Sequence, residues 1–192
     1  NYGHLPIGAR SDIENIDIDR LQAFYRMYYQ PDNAVLTVAG KFDPEATLAL
    51  IARYFGAIPK PTRVLPRIYT EEPVQDGERA VTLNRVGNTK YVGLMYHGPR
   101  GADADFVAAD VLAEILTLAP SGRLYKALVE TKKATSVQSW TEAQADPGTI
   151  TLFAQVPEAE SVDAVRDTML AVIADIAKNP ITEEEVARVR AK

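Results

Sequence analysis

TSVQSWTEAQADPGTITLFAQV, residues 135–156, contains two runs of strand-forming residues separated by a turn. The runs 135–144 and 149–156 carry valine, threonine, isoleucine and aromatic residues, which favour extended backbone. Between them, Pro147 fixes φ and Gly148 can adopt a positive φ, as tight turns require. The stretch therefore predicts an antiparallel β-hairpin, because a short connection can join antiparallel strands but not parallel ones.

Segments with helical periodicity lie on both sides of this hairpin. Apolar residues recur at three- and four-residue spacing in 103–118, 122–133 and 161–178, which predicts three amphipathic helices with one buried face each. A fourth helix is predicted to begin at Thr182, because Glu185 stands three residues later and completes a capping box. Since this helix runs into the end of the sequence, we expect its domain to continue further.

Two more runs with strand-like composition, 79–85 and 90–98, precede these helices and predict a second hairpin. The order of elements from residue 79 onward is therefore ββααββαα. This order predicts an α+β fold in which an antiparallel sheet carries helices packed on one face. We place this domain at 79–192 and interpret the proline-containing segment 61–78 as a linker.

The first part of the chain, 1–60, has the order helix, strand, helix. Helices are predicted over 17–29, with Asp17 as N-cap, and from Asp43 onward. The apolar run 34–40 between them predicts a buried strand. Because one strand cannot form a sheet, we expect this part to be the C-terminal portion of a first αβ domain whose other strands lie upstream.

Composition and charge exclude several classes of function. The formal net charge is −5 and the basic residues are scattered, so the sequence lacks the positive stripe that binds nucleic acid. No apolar run approaches the roughly 18 residues that span a bilayer, and the N-terminus lacks a signal-peptide pattern. The absence of cysteine excludes disulfides, thiolate metal sites and cysteine nucleophiles, and leaves the compartment undetermined.

Few residues suggest chemistry by their spacing. The two histidines, His4 in a loop and His97 at a strand end, have no second histidine at metal-binding spacing, so we expect no zinc site. Ser121 precedes a predicted helix and is interpreted as an N-cap rather than a nucleophile. Acidic pairs such as Asp103 and Asp105 stand at helix starts, where the helix dipole accounts for them.

Aromatic residues are concentrated in the first part of the chain. A seam where helices pack on a sheet is the favoured interpretation and a ligand surface is the alternative. Trp140 either faces a cavity or anchors the helices, and the sequence does not choose between the two. The concentrated aromatic residues are Phe24, Tyr25, Tyr28, Tyr29, Tyr54 and Phe55.

A series of short motifs resembles the pitrilysin/insulinase-type zinc metallopeptidases. The motifs are Y-x-P-x-N at 29–33, V-x-G-x-x-D-P-E at 38–45, YFG-x-IP at 54–59 and SGRLYKALVETKKATSV at 121–137. The resemblance covers most of the chain. It implies αβ domains like those of the mitochondrial processing peptidases: the end of a first domain followed by most of a second.

The resemblance also implies where catalysis would lie. The family's H-x-x-E-H motif, which binds zinc and activates water, is missing, so we expect no catalytic residue and no zinc ligand here, with zinc in the full-length parent. Related second domains that assist catalysis carry an Arg and a Tyr that steady the substrate. Val129 and Thr135 stand near those positions here. The remaining candidates for contact with acidic or C-terminal groups of a peptide are Arg123, Lys126 and Lys133. We expect exposed helix positions for all three, and there a solvated role is favoured over contact with a peptide.

The resemblance leads to two hypotheses about function. In the first, the chain is a non-catalytic segment of a zinc metalloendopeptidase and helps to form a clamshell that encloses peptides. In the second, the parent is a catalytically dead paralogue that acts as a structural or partner subunit. The expected partners are a peptide or protein substrate and either the remaining domains of the same chain or a homologous subunit. Analogy with exported bacterial relatives favours the periplasm.

Overall fold

The computed structural model describes residues 6–67, 69 and 74–192. The chain divides into two compact units, one ending at Ala80 and the other beginning at Val81. The domain bounds and the linker inferred from the sequence stay a prediction. Within the described residues, no helix has both the length and the apolar character needed to cross a bilayer.

The first unit contains the helices α1 (Arg10–Asn15), α2 (Ile18–Tyr28) and α3 (Pro44–Phe55), with a short 3-10 turn at Pro31–Asn33. Both longer helices begin as the sequence predicts. The carboxylate of Asp17 accepts a hydrogen bond from the Asp19 amide at 2.9 Å, and that of Asp43 accepts one from Ala46 at 2.9 Å. Side-chain caps of this kind stabilise a helix start by about 1 kcal/mol.

The strand predicted over 34–40 is wrong for the described structure. Residues 34–39 belong to no helix or strand, and Val35 is 93 % exposed. A strand exists only when its amides and carbonyls pair with a neighbouring strand. No described residue pairs with this run. Its apolar composition is therefore not sufficient to form a strand within the described residues.

The second unit is built on three antiparallel strands. These are β1 (Lys90–His97), β2 (Ser136–Thr141) and β3 (Thr149–Val156), in the spatial order β1-β3-β2. The pairing of Val137 with Ala154 and of Trp140 with Thr151 confirms the predicted hairpin. Its connection is longer than the four-residue turn foreseen, because β2 already ends at Thr141.

The helices α4 (Asp105–Thr117), α5 (Val162–Asp175) and α6 (Glu183–Arg190) accompany this sheet. Side chains at alternate positions of each strand, such as Val92, Leu152 and Val137, are buried together with Leu116 of α4 and Met169 of α5. The side chains at the intervening positions are largely exposed. The predicted α+β class, an antiparallel sheet with helices packed on one face, is therefore confirmed.

The first strand of the other predicted hairpin is not formed. Residues 79–85 contribute no strand to the sheet in the described structure, and Val81 and Leu83 are exposed. The strand β1 pairs instead with β3 along its full length, from Lys90 opposite Val156 onward. The prediction of a strand over 79–85 is therefore wrong for the described structure, because a strand-like composition alone does not supply a partner.

The helix predicted over 122–133 is shorter and wider than expected. Tyr125–Val129 forms a π-helical turn, in which the Glu130 amide donates to the Tyr125 carbonyl at 3.2 Å. Residues before and after this turn restrict the path of the backbone. A Cβ on Gly122 would lie 2.7 Å from the backbone at the end of α4, and Lys132 has a φ of 62°, which ends the helix and directs the chain toward β2.

Candidate functional site

Arg123 is the most fully bonded of the basic residues predicted to contact substrate. Its Nε and Nη2 donate to the two carboxylate oxygens of Glu185 at 2.7 and 2.9 Å. Its Nη1 donates to the Asn179 carbonyl at 2.7 Å and Nη2 to the Pro180 carbonyl at 3.0 Å. The Arg123 side chain is only 19 % exposed, so the expectation of an exposed position is wrong for this residue. The guanidinium is partly buried, and its hydrogen bonds go to groups of the protein itself.

Glu185 completes the same network from the first turn of α6. Its Oε2 accepts hydrogen bonds from the Thr182 amide at 2.9 Å and from the Thr182 hydroxyl at 3.1 Å. The amide of Glu185 donates back to Thr182 Oγ1, which confirms the capping box predicted from the sequence. The hydrogen bond from Arg123, with smaller contributions from the Thr182 groups and opposed by burial, lowers the pKa of Glu185 to about 2.

Lys126 lies beside a surface groove between the π-helical turn and α5. The groove encloses about 850 Å³. Lys126 itself is exposed, whereas Lys133 is half-buried and does not line the groove. The structure therefore brings two of the three basic candidates to one place, and of these two only Lys126 is exposed. The groove is lined by Arg123, Lys126, Asp167, Thr168, Ala171, Val172, Asp175 and Asn179.

The positions where related domains carry the substrate-steadying Arg and Tyr have structural roles here. Val129 is partly buried against the hydrophobic core. The amide of Thr135 donates to the Gln155 carbonyl at 2.8 Å, which continues the β2–β3 pairing by one residue. Neither side chain offers a charge or a phenol to a peptide.

One face of the sheet is left open and carries large apolar side chains. Tyr91, Met95, Trp140 and Phe153 all lie on this face by the register of the strands, and Trp140 is 62 % exposed. The indole N–H donates to Glu142 at 2.9 Å. Trp140 therefore lies on the exposed face of the sheet and does not anchor the helices.

The described residues do not fit a zinc ion. No three histidine, cysteine, aspartate or glutamate side chains among them stand close enough to share a metal. His97 lies at the end of β1, opposite Thr149, and His4 lies outside the described residues. The carboxylate of Asp103 is engaged by Arg100 at 2.8 Å. No metal-dependent step can therefore be derived from this part of the chain.

The aromatic residues of α2 contact each other and solvent. The rings of Tyr25 and Tyr29 stack at 5.1 Å, and those of Phe24 and Tyr28 lie 4.6 Å apart. Phe24, Tyr25 and Tyr29 are more than half exposed. The favoured interpretation of a packing seam is therefore wrong within the described unit, because no strand is formed there on which these rings could pack.

Comparison with known proteins gives a consistent result. Residues 15–192 match the family model described as the peptidase M16 inactive domain. The zinc protease PqqE of Helicobacter pylori is 27 % identical over 192 residues, covering 98 % of this chain and 43 % of that protein. An uncharacterized zinc protease of Mycobacterium tuberculosis is 28 % identical over 186 residues, covering 95 % of this chain and 42 % of its own length. The chain spans less than half the length of these relatives.

Solved structures show the same similarity. A protease from Helicobacter pylori superposes with a TM-score of 0.87 at 28 % identity, over 97 % of this chain and 46 % of the other. An inactive peptidase domain from Bordetella parapertussis is 41 % identical, with a TM-score of 0.52 over 58 % of this chain and 61 % of the other. The first of these extends over nearly the whole of the present chain.

Proposed function

The chain belongs to the peptidase M16 inactive-domain family, and on that premise we propose that it is a non-catalytic segment of a zinc metalloendopeptidase, where it helps to enclose peptide substrates. The match of the inactive-domain model over residues 15–192 carries this proposal. It is supported by relatives named zinc proteases that are more than twice as long as the chain. The zinc ion would be bound by another part of the parent, where it would supply an activated water.

The contribution of this segment to catalysis would be confinement. A peptide enclosed between protein surfaces is shielded from bulk water, and its position relative to the reacting groups is restricted. The Arg123–Glu185 pair supports such a role because it fixes α6 against the π-helical turn. A wall that confines a substrate must keep its shape when the substrate binds.

The groove beside Lys126 is the place where this segment would contact a peptide. Lys126 supplies a positive charge, while Ala171 and Val172 supply apolar contacts beneath it. An acidic side chain or a C-terminal carboxylate of a peptide would pair with the lysine ammonium group. Partners of the whole protein would be the peptide substrate and either the remainder of the parent or a homologous subunit.

Zinc content and peptide cleavage, measured on the full-length parent and on residues 1–192 in parallel, test this proposal. We expect stoichiometric zinc and cleavage of a quenched peptide only in the full-length protein. Stoichiometric zinc in residues 1–192 would contradict the assignment of a non-catalytic segment. A full-length protein that binds no zinc and cleaves nothing would instead identify a catalytically dead partner subunit.

A further inference from the structure

Met95 and Trp140 flank a recessed threonine on the open face of the sheet. Thr151 of β3 pairs with Met95 of β1 on one side and with Trp140 of β2 on the other. Side chains at directly paired positions lie next to each other on the same face. Thr151 is only 5 % exposed, whereas Met95 and Trp140 are more than half exposed. The thioether and the indole therefore form the two walls of a short apolar trough, with Thr151 as its floor.

A carboxylate lies beside the indole wall of this trough. Glu142 Oε1 accepts a hydrogen bond from Trp140 Nε1 at 2.9 Å, and Glu142 Oε2 accepts one from the side-chain amide of Gln144. The Gln144 carbonyl in turn accepts from the Gly101 amide at 2.9 Å, which ties the loop after β2 to the loop after β1. The Glu142 carboxylate is thus held at the edge of the indole ring.

The negative charge of Glu142 has no cationic partner. Among the described residues, no lysine, arginine or histidine forms an ion pair with it. The open-face positions of the three described strands contain no lysine or arginine. Lys90 of β1 lies on the face that the helices cover, and its ammonium group donates to the carbonyls of Glu158 and Glu160. Each carboxylate oxygen of Glu142 keeps a second acceptor position for a donor from outside.

An apolar trough beside an unpaired carboxylate fits a long basic side chain. The methylene stem of lysine or arginine packs along apolar surface while its charged head stays among polar groups. A cation is attracted to the face of an aromatic ring, most strongly to that of tryptophan, and a guanidinium also stacks on it. The carboxylate adds a charge-assisted hydrogen bond. An acidic side chain would be repelled, and an apolar one would leave the carboxylate unused.

We propose that the trough of Met95, Thr151 and Trp140, together with Glu142, is a subsite for an arginine or lysine side chain of a peptide. The inference rests on the proposed function in taking a peptide as the ligand, and it adds a preference for basic residues. The groove beside Lys126 lies among the helices instead and would take a group of the opposite charge.

The fluorescence of Trp140, the single tryptophan of the sequence, tests this proposal in residues 1–192. The probes are two pentapeptides blocked at both ends, one with arginine between alanines and one with citrulline, which has a similar shape and no charge. We expect the arginine peptide to change the fluorescence and to bind roughly five-fold more tightly than the citrulline peptide. Equal affinities, or no binding of the arginine peptide, would overturn the proposal.

A charge-removing substitution identifies the carboxylate that is responsible. Glu142→Gln keeps an acceptor for the indole N–H and should abolish the preference for arginine over citrulline. Glu130→Gln is the matched control, because Glu130 is also exposed and follows the π-helical turn, and it should retain the preference. Thermal unfolding checks that both variants are folded. A preference that is lost in both variants, or in neither, would overturn the proposal.

Kinetics of the full-length parent show whether a substrate uses the trough. Glu142→Gln should raise KM for a substrate with arginine a few-fold, without a change in kcat and without an effect on its citrulline counterpart. An unchanged KM would overturn the subsite. The fluorescence measurement needs neither zinc nor cleavage. A parent that cleaves nothing would therefore refute the proposed function alone, and a cleaving parent with no preference for arginine at the trough would refute this inference alone.

Discussion

Arg123 and Glu185, which are 62 residues apart in the chain, form a bidentate ion pair that joins the π-helical turn to the first turn of α6. The same guanidinium binds the carbonyls of Asn179 and Pro180 in the loop between α5 and α6. One side chain thus holds together the start of the helical segment before β2, the loop between α5 and α6, and the first turn of α6. A planar fork of donors makes arginine suited to such a position, and lysine could not reproduce it.

Loss of this pair should destabilise the chain. We expect Arg123→Ala to lower the free energy of unfolding by about 2–3 kcal/mol, below the value for a fully buried pair because both side chains keep some contact with water. Urea denaturation of residues 1–192 measures the change. Arg166→Ala is the control: its ion pairs with Asp163 and Asp167 are exposed, and it should cost less than about 1 kcal/mol. Equal effects of the two substitutions would contradict a structural role for Arg123.

The pair should also make stability depend on pH under acidic conditions. Because the pKa of Glu185 is lowered to about 2 in the folded protein, folding favours its ionised form. The stabilisation is complete above the unfolded-state pKa of about 4.3 and is lost as the pH falls through that range toward 2. Unfolding curves at several pH values check this, with Glu185→Gln as reference. The stability difference between wild type and this variant should shrink on acidification, and a constant difference would refute the assignment.

The two faces of the sheet should respond differently to truncation. Leu152 is 2 % exposed and Met95 is 65 % exposed, although both lie on paired strands. Leu152→Ala should cost about 2–5 kcal/mol because it opens a cavity in the core, whereas Met95→Ala should cost less than about 1 kcal/mol in residues 1–192. Thermal or urea unfolding separates these outcomes. A comparable loss for Met95→Ala would mean that the open face is covered in solution.

Gly122 should not tolerate a side chain. A Cβ there would lie 2.7 Å from both the Leu116 carbonyl and the Leu118 amide, closer than atoms in contact can approach. Gly122→Ala should therefore cost about 1–3 kcal/mol through displacement of the π-helical turn. Gly77→Ala meets no atom within 4 Å and serves as the control, with no loss of stability expected. The expectation fails if Gly122→Ala unfolds at the same urea concentration as wild type.

Lys126 provides a test of the groove in the full-length parent, on the proposal that the parent cleaves peptides. Lys126→Ala should raise KM for a peptide with acidic side chains by a few-fold and leave kcat unchanged, as expected when a single exposed ion pair is removed from uniform binding. A neutral peptide of the same length should be unaffected. Arg79→Ala, which removes another exposed positive charge, is the matched variant. An identical change for both variants would assign the effect to overall charge.

The sequence predicted best those features whose signals are local. The hairpin of β2 and β3, the N-caps Asp17 and Asp43 and the box of Thr182 with Glu185 each depend on residues within a few positions of one another. The pairing of Arg123 with Glu185 depends instead on where two distant segments meet, and no local pattern encodes that distance. The sequence therefore named the basic residues of the candidate site, but it did not predict that Arg123 would pair with Glu185.

The failed strand predictions have a related cause. Residues 34–40 and 79–85 have the composition of strands, yet strand formation also requires an edge with free donors and acceptors. A single sequence reports the propensity of a segment and is silent about the presence of its partner. Trp140 shows a similar limit. Successive residues of a strand point to opposite faces, but the sequence does not say which of the two faces the helices will cover.

The open face of the sheet determines how residues 1–192 will behave when they are handled alone. Tyr91, Met95 and Trp140 are exposed apolar side chains on this face, and such patches favour association. In the described sheet β1 and β2 are the edge strands, and an edge strand can pair with a strand of another molecule. Solubility of the folded chain, rather than its resistance to unfolding, should then limit the concentrations that can be reached. Charged substitutions on this face, such as Met95→Lys, would extend that range without touching the core.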